Sequence, residues 1–112
     1  MLDEAAIDRL KDFGGVKLVR GMIELFLSNA PLKAADAREA LECGDSAALR
    51  AALHGLKSSA GQLGARTVYQ ACIAGEELAS RGELLPCVPH VERIEADLPR
   101  VSRELLALRL EV

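Results

Sequence analysis

The sequence predicts an all-α fold, an antiparallel bundle of helices, on three observations. Of its 112 residues, 19 are Leu and 18 are Ala, two good helix formers. Aromatic residues make up only 3% of the chain, and the β-branched and aromatic types that favour strands are few. Apolar residues recur every three or four positions between glycine and proline punctuation, which is the period of a helical face. A chain of this length is expected to form a single domain, residues 1–112. With 50% hydrophobic and 28% charged residues, it can bury a core and stay soluble.

Each element follows from its punctuation. Residues 3–12 form a short amphipathic helix carrying Ile7 and Leu10, ended by Phe13-Gly14-Gly15. A second stretch runs from about Val16 to Glu42, with Val19, Ile23, Phe26, Ala30, Ala34, Ala37 and Leu41 on one face. Pro31 removes a backbone donor and disturbs Ala30. The apolar phase nevertheless continues past it, so the expectation is a collinear or kinked pair of helices and no reversal. Gly44 suits a left-handed helix end and Asp45 an N-cap for the next helix. That third stretch, 46–63, closes at Gly64, and a fourth runs from Ala65 to Arg81-Gly82. A proline-marked loop, 85–89, places Pro89 in the first turn of a last helix. Val91, Ile94, Leu98, Val101, Leu105 and Leu108 then repeat like a heptad seam, with a kink expected at Pro99. Short loops between long helices favour antiparallel neighbours.

Several functions are excluded early. A net charge of −3 from 14 basic and 17 acidic residues argues against a binder of nucleic-acid phosphates. No apolar run approaches a membrane span, and Met1-Leu2-Asp3-Glu4 does not open a signal peptide. The three cysteines lack CxxC spacing, so idle thiols in a reducing cytoplasm are expected, not disulfides. With the two histidines they match no common zinc pattern, so no metal is expected. Gly14-Gly15 follows no strand and precedes no Gly-Lys-Ser/Thr, so it is no phosphate loop. His90, between Pro89 and Val91, reads as a surface histidine.

The chemistry lies in residues 47–64. On a helix at about 100° per residue, Leu49, Leu53, Leu56, Ala60 and Leu63 gather on the core face. His54 falls on the opposite face, with Ala47, Ala51, Ser58 and Gly61 one and two turns away and Arg50 and Lys57 along one edge. Exposed helical positions normally carry long polar side chains. Gly55 and Gly61 instead cost roughly 2 kcal/mol of helix propensity relative to Ala. A histidine ringed by small residues offers access to another protein's recessed site. Imidazole is a competent nucleophile near neutral pH, and Lys57, one turn on, could neutralise phosphoryl oxygens. The plain alternative is a solvated histidine on an ordinary exposed face.

His54-Gly55-Leu56-Lys57-Ser58-Ser59-Ala60-Gly61-Gln62-Leu63-Gly64-Ala65 resembles the signature of histidine-containing phosphotransfer (HPt) domains. Phe26-Leu27 before Pro31, the Gly44-Asp45 break, Cys72 and Glu76-Glu77 also sit where comparable features sit in that family, so the resemblance spans roughly residues 7–110. It implies a four-helix core, a short first helix beside the phospho-histidine helix, and phosphorylation of His54 on Nε2. It implies partners too: response-regulator receiver domains, free or within a hybrid histidine kinase, whose aspartate exchanges the phosphoryl group and which carry Mg²⁺ themselves. This chain would need no cofactor of its own. On that resemblance Lys57 is the charge partner, and Ala47, Arg50, Ala51, Gly55, Ser58, Gly61 and Gln62 form the docking surface. Ser58 and Gly61 would supply clearance, Ser58 with a hydrogen bond to offer. Position 76 holds Gln in some members. Here it is Glu76, which could orient the imidazole or face solvent. Gly75 stands where a core leucine is usual, so a packing gap and a less stable helix are expected. With no nucleotide motif, the expected role is a cytoplasmic, monomeric phosphorelay intermediate, not an independent enzyme. The rival reading is a helical docking module that binds a receiver or kinase and carries no phosphate.

Overall fold

The computed structural model describes residues 2–111, with side chains to residue 109. Four long helices follow one another: α1 (Glu4–Cys43), α2 (Ser46–Gln62), α3 (Arg66–Ser80) and α4 (Val88–Glu111), with a single 3₁₀ turn at Leu85–Cys87 before the last. α1 packs on α2 and α4, and α3 packs on the same two, closing a ring of neighbours around one core. The tight connections make sequential helices antiparallel.

Local chemistry sets the boundaries. Asp3 caps α1 by accepting from the Ala5 amide, and Asp45 caps α2 by accepting from Ala48, each satisfying an amide that has no partner within its helix. Gly44 ends α1 in the left-handed conformation at φ 72°. The expected break after the short first segment is sharp: Gly15 adopts φ 76° and ψ −175°, which turns residues 4–14 into a separate N-terminal arm of α1. Pro31 and Pro99 lie inside helices that run on across them. Pro31 and Pro99 face solvent, so water can serve the Leu27 and Glu95 carbonyls that each ring deprives of a donor.

The core is aliphatic. Ile23, Phe26, Leu49, Leu53, Leu56 and Leu105 are each at most 1% exposed, and no described polar or charged residue is buried among them. The arm contributes Ile7, 4% exposed, whereas Phe13 is 88% exposed and lies outside the core. A bidentate Arg38–Glu95 pair joins α1 to α4, with N–O distances of 2.9 and 2.6 Å.

The packing gap expected at Gly75 is absent. A methyl group there would lie 2.8 Å from Leu53 Cδ1, so Leu53 of α2 fills the space that a larger residue on α3 would take. The Cys87 thiol also reaches the Gly75 carbonyl at 3.5 Å. Glycine lets two helices approach here, and the volume is conserved across the interface. Leu53→Ala would empty that contact and should destabilise the fold by about 2–5 kcal/mol, read from urea denaturation of variant and wild type. A loss below about 1 kcal/mol would mean that the site collapses around the missing side chain.

Candidate functional site

α2 carries His54 outward while Leu53 and Leu56, on either side of it in sequence, are 0% and 1% exposed. The His54 side chain is 66% exposed. Its ring is nevertheless held: Nδ1 lies 2.8 Å from Oε2 of Glu76, on α3. The other oxygen, Oε1, accepts a hydrogen bond from Lys57 Nζ at 2.7 Å. Glu76 is only 14% exposed and Lys57 28%, so one half-buried carboxylate ties together two side chains a helical turn apart.

This arrangement selects a tautomer. An ionised carboxylate can only accept, so Nδ1 must carry the proton that it donates to Glu76. In the neutral ring Nε2 is then the nitrogen with the free lone pair. Burial pushes the Glu76 carboxyl up, but hydrogen bonds from Lys57 and His54, together with their charges, outweigh it and hold the group below its ordinary value. A carboxyl whose folded-state pKa is depressed stabilises the fold above its unfolded pKa, and that contribution fades as pH falls through the folded value. The stability difference between wild type and Glu76→Gln should therefore be full above about pH 4.5, the ordinary value, and shrink in acid. Denaturation at a series of pH values checks this, and a difference independent of pH would mean that the ionic form contributes nothing. Behind the cluster, burial and the nearby Glu76 charge push the Cys72 thiol up to about 12, with Lys57 opposing. That thiol is inert.

Around His54 the small-residue face is as expected: Ala47, Ala51, Gly55, Ser58 and Gln62 are exposed, as is Arg50, and Gly61 is half-buried. Two of its glycines also serve contacts within the molecule. The Tyr69 ring of α3 lies over Gly61, 2.9 Å from where a methyl group would sit, and Lys33 of α1 lies over Gly55 at 3.4 Å. Gly64 does the same for the arm. It adopts φ 75°, a methyl group there would lie 2.6 Å from the Asp3 carbonyl, and its own carbonyl accepts from the Asp3 amide at 2.8 Å. The arm thus lies beside the end of the histidine helix. The groove between them, about 500 Å³, is lined by Asp3, Arg9, Lys57, Gly61, Arg66 and Tyr69 among others.

Three residues here carry no firm assignment from sequence. The sequence allows Glu76 either to orient the imidazole or to face solvent, and the structure puts it on the imidazole. Tyr69 and Ile73, 37% and 41% exposed on α3, add apolar surface beside Lys57 that lies outside the twelve-residue signature. Their spacing of four on a helix whose other face is buried was the available clue. His90 is half-buried and packs beside Gly75. Cys43, Cys72 and Cys87 are free thiols, and among the described residues no His, Cys, Asp and Glu group could hold a metal ion. No helix among them is long and apolar enough to cross a membrane.

Chemically, the site offers an accessible imidazole in a fixed tautomer, a carboxylate to hold positive charge on the ring, and an ammonium alongside. The family model of the Hpt domain matches residues 21–104, a span that includes all three. The fold is similar to the crystal structure of histidine-containing phosphotransfer protein B from Pseudomonas aeruginosa PAO1. The TM-score is 0.90 at 24% sequence identity, over 99% of this chain and 96% of that one; at that identity the likeness speaks for the fold. A comparison with curated proteins finds no match.

Proposed function

The chain belongs to the Hpt domain family, and from that membership we propose that it relays phosphate between receiver domains through His54. His54 accepts a phosphoryl group from the aspartate of one response-regulator receiver and passes it to another. The observation that carries this reading is the 2.8 Å contact between His54 Nδ1 and Glu76 beneath a ring that stays 66% exposed. It leaves Nε2 both nucleophilic and reachable.

The step balances without any group from outside the two proteins' sites. The Nε2 lone pair attacks phosphorus, the bond from phosphorus to the aspartyl oxygen breaks, and its electron pair returns to the receiver's carboxylate. The imidazole keeps its Nδ1 proton and becomes positively charged. Glu76 holds that charge, as a carboxylate behind a histidine does in other nucleophilic sites. Lys57, with donors left over from its bond to Glu76, faces the phosphoryl oxygens. The small face of α2 and the apolar Tyr69 and Ile73 form the surface against which the receiver closes and excludes water. Mg²⁺ and the acyl phosphate belong to the receiver, so this chain carries phosphate and leaves most of the catalysis to its partner. It needs no cofactor, and a cytoplasmic setting suits both partners.

The rival is a docking module that binds receivers without phosphate. Such a module has no use for a histidine in a selected tautomer or for a lysine bonded to the same carboxylate. Incubation with a phosphorylated receiver separates the two. Transfer of acid-labile, base-stable phosphate to this chain supports the relay, and tight binding without transfer supports the docking module.

A further inference from the structure

One face of α1 has no role in the site. The core side of this helix is Val19, Ile23, Phe26, Ala30, Ala34 and Ala37. Diametrically opposite runs a second row: Leu18, Gly21, Leu25, Ser28, Leu32 and Ala35. Its spacing alternates three and four, and leucine alternates with a small residue, as at the a and d positions of a heptad. Leu25 and Leu32 are each 63% exposed, Gly21, Ser28 and Ala35 are exposed, and Leu18 is half-buried. Single exposed leucines are ordinary. A regular seam about 27 Å long, at 1.5 Å per residue, is not.

We propose that this seam is a self-association surface on which α1 of a second copy of the chain docks antiparallel, departing from the monomer expected from sequence. Two independent observations choose that occupant and that direction. The first is shape. When residue 25 of one helix faces residue 28 of the other, Leu25 meets Ser28, Leu18 meets Ala35, and Leu32 meets Gly21. Every layer then pairs a large side chain with a small one, in both halves of a two-fold contact. The parallel, in-register alternative stacks leucine on leucine and glycine on glycine, crowded and hollow by turns.

The second is charge. The seam begins beside Lys17 and ends at Glu39. Antiparallel docking brings Lys17 of one copy within reach of Glu39 of the other, whereas parallel docking sets each charge beside its own copy. A single helix pair lies at the small end of interface sizes, so the dimer is weak and dependent on concentration. His54 is held on α2 against α3, off the seam, so both copies keep their histidine accessible.

Sedimentation equilibrium of the whole chain tests this, with mass rising with concentration from 12.0 kDa toward twice that value. Leu25→Glu sits on the exposed face, so it should fold normally by circular dichroism and raise the dimer Kd by about 10-fold or more. Gly21→Leu is the sharper variant. It adds apolar surface yet blocks the hollow that receives Leu32 of the second copy, so it too should weaken the dimer. Tighter association would overturn the layer pairing. Lys17→Glu should weaken association and be rescued by adding Glu39→Lys. The exposed Cys43 reports direction: antiparallel docking holds the two thiols at opposite ends, so mild oxidation should not link them within the dimer. Ready Cys43–Cys43 cross-linking would overturn the orientation. A chain that stays monomeric at high concentration would overturn the proposal, and loss of receiver binding in monomeric Leu25→Glu would assign the face to the receiver instead.

Discussion

His54→Gln should abolish phosphotransfer from a phosphorylated receiver and leave the fold nearly unchanged. Gln at this position has no nucleophilic nitrogen, so the loss is one of chemistry and should be complete within detection. Its structural cost is small because the His54 side chain is 66% exposed, and substitutions at such positions usually shift stability by less than about 0.5 kcal/mol. The hydrogen bond to Glu76 is lost or replaced by the Gln amide, while the bond from Lys57 to Glu76 stays in place. Transfer assays and thermal denaturation on the same preparation measure both halves. A variant that still accepted phosphate would move the acceptor elsewhere, with the half-buried His90 the obvious suspect.

Lys57→Ala should slow transfer by about 10- to 100-fold, with little change in affinity for the receiver. A hydrogen bond to a charged acceptor is typically worth about 1.5–3 kcal/mol, which converts to a rate effect of that order. Partial exposure and salt draw the effect toward the lower end. The bond to Glu76 sharpens this prediction in one respect. Removing Lys57 leaves Glu76 with His54 as its only described hydrogen-bond partner, so the imidazole should stay oriented while the phosphoryl oxygens lose their cation. Single-turnover transfer and receiver affinity must be measured separately. Unchanged transfer would reduce Lys57 to a solubilising residue, and lost affinity at an unchanged rate would make it a docking residue.

What could be read from sequence was what local rules govern. Asp45 as a cap, Gly44 as a left-handed helix end and the outward direction of His54 follow from a few neighbouring residues and a 3.6-residue period. The twelve-residue signature carried the family. What could not be read depends on residues far apart in the chain. Gly75 looked like a gap because its filler, Leu53, sits on another helix. Gly55 and Gly61 looked like clearance for a partner alone because Lys33 and Tyr69 cross them from other helices. Glu76 lies 22 residues from His54, and no periodicity says which facing side chain a carboxylate will choose. The helix carrying it buries Cys72, Gly75 and Ala79, so position 76 lies at the edge of the buried face. An acidic residue there, across from a lysine on the neighbouring helix, was the one available hint.

The most direct measurement is nitrogen–phosphorus NMR on imidazole-labelled protein after phosphorylation by a receiver. Coupling to phosphorus should appear at Nε2 of His54, with the proton retained on Nδ1 toward Glu76. Phosphorus attached to Nδ1, or to any residue other than His54, would contradict the account, because the Glu76 contact would then not be selecting the nucleophile.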